Sequence, residues 1–235
     1  TQPRWSAVLP LIVTFVSRTS TETVAAGSTE FDDVVMMSQA PVGRSARSNA
    51  VTYLKTYDEI RALFAGTPEA KAARVLPGHF SFNSPLGRCD TCEGMGTVTI
   101  EMHFMADLTV TCDSCGGRRF KPQVLEVRYR GLTITEVLDL TVDRAYDFFS
   151  QNAKIRARLA ALRAVGLGYI TLGQPTSTLS GGEAQRLKLA SFVEDEASEG
   201  HNRLLIFDEP TKGLHLSDVD RLIDVLHGGV ERGST

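Results

Sequence analysis

Four cysteines form two C-x-x-C pairs, and their types and spacing predict chemistry more directly than any other residues of the sequence. The pairs are Cys89/Cys92 and Cys112/Cys115. Two such pairs can offer four thiolates to one tetrahedral Zn²⁺, which leaves no open position for a reacting water. No secretory signal sequence is evident, so disulfide pairing in an oxidising compartment is not expected. We therefore predict a structural zinc site, with His103 as a strand residue and not a ligand.

Basic residues are frequent around the cysteine pairs. They are Arg88, Arg118, Arg119 and Lys121, followed by Arg128 and Arg130. Such side chains can contact DNA phosphates, but a solvated basic face has the same composition. The whole chain has a formal charge of -3 and a pI near 6.0. Any contact with DNA must therefore come from a local basic cluster.

A glycine-containing segment, TLSGGEAQRLKLA, occupies residues 178–190. Ser180 and Glu183 match the S-x-x-E capping box that begins many helices. A cap does not explain Gly181 and Gly182, because each glycine in a helix costs up to about 1 kcal/mol relative to alanine. Exposed N–H groups at the positive end of a helix bind anions. We therefore predict that Ser180, Gly181 and Gly182 bind a nucleotide phosphate.

A short apolar run that ends in acidic residues lies near the end of the chain. Residues 204–207 (LLIF) precede Asp208 and Glu209, a pattern typical of a buried parallel strand. An acidic pair after a strand can also cap the next helix. Its position shortly after the glycine-containing segment favours a functional role instead.

Hydrophobic periodicity and turn residues predict the remaining elements. Strands are expected at residues 8–16, 33–37, 97–102, 108–111 and 124–129, and helices at 58–65, 142–165 and 216–226. The longest apolar run, residues 7–16, is shorter than the roughly 20 residues that a membrane-spanning helix needs. The composition, 42% hydrophobic and 23% charged, is typical of globular proteins.

Together these segments resemble ABC ATPases, and within them the UvrA family of excinuclease proteins. LSGGEAQR at 179–186 resembles the signature sequence, LLIFDEP at 204–210 the Walker B segment, and Gln39 in QAPVGR the Q-loop glutamine. His215 falls in what resembles the D-loop. Few ABC proteins place a four-cysteine module before the signature. The resemblance covers about residues 34–235.

The resemblance implies an α/β fold: an incomplete ABC-type P-loop ATPase core with an inserted helical signature domain that carries a four-cysteine zinc module. The core would comprise residues 1–50 and 200–235. The signature domain would comprise residues 51–199, with the zinc module at 87–121.

The resemblance also implies the cofactors and the roles of individual residues. ATP, Mg²⁺ and Zn²⁺ are the expected cofactors, with Glu209 as the catalytic carboxylate that polarises the attacking water. The expected nucleotide-binding residues are Gln39, Ser180, Gly181, Gly182, Gln185 and, through Mg²⁺, Asp208. The implied function is ATP-dependent recognition of damaged double-stranded DNA in nucleotide excision repair. A UvrB-like partner, a homodimer of the full-length protein and a cytoplasmic location are also implied.

Several departures from the family pattern keep alternatives open. No G-x-x-x-x-G-K-[ST] motif is present, the chain begins at Thr1, and it ends at Thr235 before the expected switch histidine. We therefore expect a fragment that does not hydrolyse ATP efficiently alone. Lys212 and Ala50 stand where threonine and proline are common in the family. A paralogue in drug self-resistance or regulation would share these features.

Two further classes of protein compete with this interpretation. Residues 89–96 match the C-x-x-C-x-G-x-G knuckle of DnaJ chaperones, although that family carries four such repeats and no Walker B segment. An ABC transporter ATPase would need surfaces that couple to a membrane domain, and the cysteine module argues against it.

Overall fold

The computed structural model of the protein describes residues 33–43, 47–102, 104, 107–196, 203–207, 210 and 216–231. The strand expected at residues 8–16 lies outside this part of the chain. So do His103, Asp208, Glu209, Lys212 and His215.

Within the described residues, four strands and nine α-helices follow one another in the chain. Their bounds are β1 Asp33–Met37, α1 Ala50–Tyr53, α2 Thr56–Ala65, α3 Pro68–Ala72, β2 Thr97–Ile100, β3 Leu108–Thr111, α4 Pro122–Leu125, α5 Ile134–Leu138, α6 Val142–Phe148, α7 Ala153–Ala164, α8 Gly181–Glu196, β4 Arg203–Phe207 and α9 Leu216–Glu231. Short 3-10 turns occupy Pro77–Phe80 and Thr176–Thr178. None of the described helices combines the length and the apolar character needed to cross a membrane.

β1 and β4 form a two-stranded parallel sheet. Met37, the last residue of β1, pairs with Phe207, the last residue of β4. The strands expected at 33–37 and 204–207 are thus confirmed, and so is their parallel direction. The carboxyl ends of both strands meet at the same edge, directly before residues 38–40 and 208–209.

All nine described helices contribute to one hydrophobic core. In α2, the fully or nearly fully buried side chains of Tyr57, Ile60 and Phe64 recur every three or four residues, which places them on one face. The hydroxyl of Tyr57 donates to the carbonyl of Phe80 at 2.6 Å, so even the polar end of this buried side chain has a partner. The helix expected at 58–65 is therefore confirmed.

The strand expected at residues 124–129 is wrong. Pro122 begins helix α4 at the position where its fixed φ and missing N–H suit a helix. Val124 and Val127 are both buried and lie three residues apart, the spacing of a helical turn and not of a strand. Tyr129 makes only an isolated bridge with Leu132.

The single helical region expected at residues 142–165 is two helices, α6 and α7. The chain leaves the helical conformation at Phe149, whose ψ is 27°. Phe149 is fully buried and packs against Tyr129 and Phe148. The turn at residues 149–152 thus allows α6 and α7 to pack against each other while it buries an aromatic ring.

β2 and β3 form an antiparallel hairpin between the cysteine pairs, as expected from the sequence. Val98 pairs with Val110 and Ile100 pairs with Leu108, so one face of the hairpin is apolar. The facing pairs on the other side are threonines. Val98 packs against the cysteines, and the rest of the apolar face is largely exposed.

Candidate metal and nucleotide sites

The four cysteines converge at the base of the β2–β3 hairpin. All four are buried, and their Sγ atoms lie within 4.8 Å of one another. The distance between Cys89 Sγ and Cys112 Sγ is 4.0 Å, and that between Cys92 Sγ and Cys115 Sγ is 3.7 Å. A tetrahedral site with zinc–sulfur bonds of about 2.3 Å places its sulfurs about 3.8 Å apart. The donor set and its spacing therefore fit Zn²⁺.

Glycines let the chain turn tightly around this cluster. Gly94 and Gly96 have φ values of 83° and 80°, which residues with a Cβ rarely adopt. A Cβ at Gly94 would lie 2.5 Å from the carbonyl oxygen of Phe82. The N–H of Gly96 approaches Cys92 Sγ to 3.3 Å, a contact that stabilises a thiolate. Steric constraints thus explain why glycine occupies positions 94 and 96.

The thiols differ in how readily they ionise. Burial opposes ionisation of Cys89, but N–H groups of Cys92 and Thr91 outweigh it and lower the pKa of Cys89 to about 6. Burial raises the pKa of Cys115 to about 12. A divalent cation would favour the ionised form of all four thiols.

The basic residues near the cysteines have intramolecular partners. Lys121 Nζ lies 3.0 Å from Asp90 Oδ1, and Arg88 lies 3.6 Å from Glu93. Arg118 Nε donates to the carbonyl of Cys115, and Arg119 donates to that of Gly173 at 3.2 Å. The contact between Arg119 and Gly173 attaches the cysteine module to another part of the chain, and the other three contacts lie within the module. They favour a structural role for the four residues over free contact with phosphates.

The glycine-containing segment begins helix α8 through a reciprocal cap. The N–H of Ser180 donates to Glu183 Oε2 at 2.7 Å, and the N–H of Glu183 donates to Ser180 Oγ at 3.3 Å. The expected capping box is present. Because Ser180 Oγ acts as the acceptor, its hydroxyl hydrogen stays available for a ligand. The first N–H groups of a helix, here those of Gly181 and Gly182, have no intrahelical acceptor.

The structure brings Gln39 next to this helix start. A Cβ built on Gly181 would lie 3.1 Å from Gln39 Oε1 and 3.2 Å from Gln39 Cβ. Gly181 therefore allows the close approach of residue 39, which follows β1 by two residues. The expected Q-loop residue and the signature segment form one local surface.

Two side chains of α8 hydrogen-bond to backbone carbonyls at and just after the end of β1. Gln185, only 3% exposed, donates from Nε2 to the carbonyl of Met37 at 2.6 Å. Lys188 Nζ donates to the carbonyls of Ser38 and Ala40 at 2.9 and 2.8 Å. The amide of Gln185, expected to bind nucleotide, thus fixes the position of β1 instead of facing solvent.

Glu183 has a second partner that the sequence analysis missed. The hydroxyl of Tyr169 donates to Glu183 Oε1 at 2.5 Å. Burial works against ionisation of Glu183, but its hydrogen bonds from Tyr169 and Ser180 outweigh burial and lower the pKa of the carboxyl. Burial and the charge of Glu183 raise the pKa of Tyr169. The pair therefore favours a charged Glu183 and a neutral Tyr169.

Several known proteins are similar in sequence to this chain. Aquifex aeolicus "UvrABC system protein A" is 52% identical over 209 residues, which cover 89% of this chain and 22% of that protein. The protein of the same name from Methanothermobacter thermautotrophicus is 50% identical over the same shares. The chain belongs to the UvrA family. It spans about a fifth of the length of these relatives. A comparison with models of protein families finds no match.

A solved structure of a UvrA-family protein also matches. The crystal structure of UvrA2 from Deinococcus radiodurans matches with a TM-score of 0.81 and 46% identity, covering 88% of this chain and 25% of that one. The match implies an ABC ATPase-type α/β fold.

UvrA homology removes support from the chaperone-like interpretation. That interpretation rested on residues 89–96 alone, whereas the homology covers 89% of the chain and so includes the cysteine module in its middle. The transporter interpretation loses support for the same reason.

The sequence gives little indication of the contact between Tyr169 and Glu183. The two residues are 14 positions apart and are joined through a turn and a 3-10 segment, so no helical or strand period connects them. The nearest signal is the glycine pair Gly166 and Gly168, which by itself indicates only the end of a helix.

Proposed function

We propose that this chain forms the signature side of an ATP-binding site in a DNA-damage recognition subunit of nucleotide excision repair. The observation that carries the proposal is the capped start of α8, where Ser180 Oγ and the Glu183 carboxylate arrange an anion-binding helix end. Homology to proteins named UvrABC system protein A supports the repair context.

In the proposed site, each residue has a distinct role. The Ser180 hydroxyl and the N–H groups of Gly181 and Gly182 would contact the γ-phosphate of ATP, with Gln39 beside them. Asp208 would hold Mg²⁺, which neutralises phosphate charge when bound, and Glu209 would polarise the attacking water. β4 ends at Phe207, so both acids directly follow the strand that pairs with β1. Gln185 would position the site through Met37 without touching nucleotide.

The cysteine module would bind one structural Zn²⁺ through Cys89, Cys92, Cys112 and Cys115. Four buried thiols at tetrahedral spacing support this assignment. We further propose that residues 87–121 form this module within a signature domain of residues 51–199. Residues 33–50 and 203–231 would belong to the ATP-binding core.

The complete protein would hydrolyse ATP, bind damaged double-stranded DNA and act as a homodimer with a UvrB-like partner. A basic cluster at Arg88, Arg118, Arg119 and Lys121 would contribute to DNA binding only if DNA displaces the present partners of these side chains. A paralogue that acts in self-resistance or regulation would carry the same phosphate and zinc sites.

The test is nucleotide-dependent binding of the complete protein to damaged and undamaged duplexes, with ATP and without, at two salt concentrations. Salt weakens phosphate contacts and so separates them from lesion preference. We expect a lesion preference that depends on ATP and that changes in Glu209→Gln. Asp220→Asn, a charge change at an exposed position of α9, is the matched control. ATP hydrolysis without any DNA binding would contradict the repair function and favour the paralogue.

A further inference from the structure

Tyr169 lies outside the signature segment but contacts the carboxylate that caps it. Its hydroxyl donates to Oε1 of Glu183, while Oε2 of the same carboxylate accepts the N–H of Ser180. The two oxygens therefore have different partners. One fixes the side chain of Glu183 to a neighbouring segment, and the other fixes the backbone at the start of α8.

The segment that carries Tyr169 is itself held in place. The residues on either side of it accept hydrogen bonds from the first turn of α6: the N–H of Asp143 donates to Gly168 and that of Val142 donates to Ile170, at 3.0 and 2.9 Å. A Cβ at Gly168 would lie 2.5 Å from Asp143 Oδ2, so a larger residue there would displace the carboxylate of Asp143. Tyr169 thus extends from a fixed backbone.

The ring of Tyr169 contributes little to the hydrophobic core. The residue is 57% exposed, in contrast to the buried aromatic rings of Phe64 and Phe149. Removing only its hydroxyl should therefore leave the packing of the fold intact. The contribution of Tyr169 lies in its contact with Glu183.

A competing donor explains why Glu183 needs this contact. Arg186 follows Glu183 by three residues on α8 and is 5% exposed; its side chain hydrogen-bonds to Tyr169, while its Nε and Nη1 lack hydrogen-bond partners among the described residues. Without a partner, Oε1 of Glu183 would form a favourable hydrogen bond by turning toward the guanidinium of Arg186, because charge-assisted hydrogen bonds are strong and unpaired buried donors are costly. The hydroxyl of Tyr169 occupies Oε1 and so opposes this rotation.

The geometry points to Tyr169 as a positioning residue for the signature segment. By holding Glu183 in the capping orientation, it fixes Ser180 so that the serine hydroxyl and the N–H groups of Gly181 and Gly182 face an incoming γ-phosphate. This inference rests on the proposed function, in which these groups bind ATP.

The first experiment compares ATP with ADP in the complete protein that contains this chain. ADP lacks the γ-phosphate, so only the interaction with ATP should depend on the orientation of Ser180. Tyr169→Phe is expected to lower kcat/KM for ATP about fivefold, the value of roughly one hydrogen bond, and to change ADP affinity less than twofold. An equal loss of ADP affinity would indicate a general structural role and overturn the inference.

Tyr146→Phe is the matched control. Tyr146 lines the same surface cavity as Tyr169, but its hydroxyl contacts Arg156 at 2.7 Å. Its removal should leave the ATP to ADP ratio unchanged. If the two variants behave alike, the specific role of Tyr169 is excluded.

The second experiment uses this chain alone and does not depend on ATP. Tyr169→Phe should increase amide hydrogen exchange at Ser180 about fivefold, because its acceptor becomes mobile. Glu183→Gln should move the titration of the Tyr169 phenol, followed by ultraviolet absorbance, back toward its ordinary range. Unchanged exchange and unchanged titration would overturn the contact itself.

Ser180→Ala separates this inference from the function on which it rests. If Ser180→Ala leaves ATP kinetics unchanged, the proposed phosphate site is wrong, and hydrogen exchange alone still decides whether Tyr169 orders the cap. If Ser180→Ala impairs ATP turnover but Tyr169→Phe does not, the proposed site stands and the positioning role is overturned.

Discussion

Arg47 Nη2 lies 2.8 Å from Glu93 Oε2, and this ion pair joins the segment that follows Gln39 to the first cysteine knuckle. Glu93 also lies 3.6 Å from Arg88, so one carboxylate serves two guanidinium groups. The pair bridges 46 positions of the sequence. The cysteine module is therefore connected to the residues just before helix α1 through charged side chains.

Because Glu93 is more than half exposed, its ion pairs should contribute little to global stability. We expect Glu93→Gln to lower the free energy of unfolding by less than about 1 kcal/mol, and by less still at high salt. Urea unfolding at two salt concentrations measures this. Glu69→Gln, an exposed exchange on α3, serves as the control. A loss of several kcal/mol, or one that salt does not reduce, would contradict the surface character of the pair.

Cys112 is fully buried in the cluster of four cysteines, so its loss should affect folding of the module. Structural Zn²⁺ is worth on the order of 10–16 kcal/mol in small modules. We expect Cys112→Ser to lose bound zinc and to make residues 89–121 sensitive to protease. Val124 and Val127 pack in the helical core, so protection should resume at α4.

Metal analysis and mass spectrometry of limited digests would test this change. Ser114→Ala, an exposed substitution between Cys112 and Cys115, is the control and should keep both zinc and protection. Unchanged proteolysis of the cysteine variant would show that the module folds without metal.

Gln185 is one of the two side chains that fix α8 to the end of β1. Gln185→Ala would leave the Met37 carbonyl without this donor in a buried setting, at a cost of about 1–3 kcal/mol. Urea unfolding is the measurement. Gln174→Ala, which removes a hydrogen bond to Thr178 near the surface, should cost less than about 0.5 kcal/mol. Equal effects of the two substitutions would argue against a special role for Gln185.

Features that depend on neighbouring residues could be predicted from the sequence. The cysteine spacing, the Ser180–Glu183 cap and the apolar run at 204–207 are set by contacts within a few positions or by a single periodicity. The structure contains each of these three features, and the homology to UvrA-family proteins agrees with the fold that they predict. The parallel direction of β4 followed from its continuous apolar character, because strands buried on both faces lack polar alternation.

Features that depend on distant packing could not be predicted in this way. The β-branched residues of 124–129 suggested a strand, but Pro122 and burial of Val124 against the helical core favour a helix. The break between α6 and α7 exists because Phe149 packs on Tyr129, twenty positions earlier. The partners of the basic residues were also hidden, since Arg119 contacts the carbonyl of Gly173 in another part of the chain.

The cap at the start of α8 should depend on pH in a defined direction. Tyr169 and Ser180 hold the pKa of Glu183 below its unfolded value of about 4.3, so the ionised carboxylate stabilises the folded state. This contribution is fully present above about pH 4.3 and is lost as pH falls through the lower pKa of Glu183 in the folded protein.

We expect Glu183→Ala to lower the free energy of unfolding by about 0.5–1 kcal/mol at pH 7, a difference that shrinks below about pH 4. Urea unfolding of both proteins from pH 7 to 3.5 tests this, and acid effects elsewhere in the chain cancel in the comparison. Glu126→Ala, at an exposed position, should show no such trend, and a Glu183→Ala difference that grows toward acid would mean that the carboxyl acts in its protonated form.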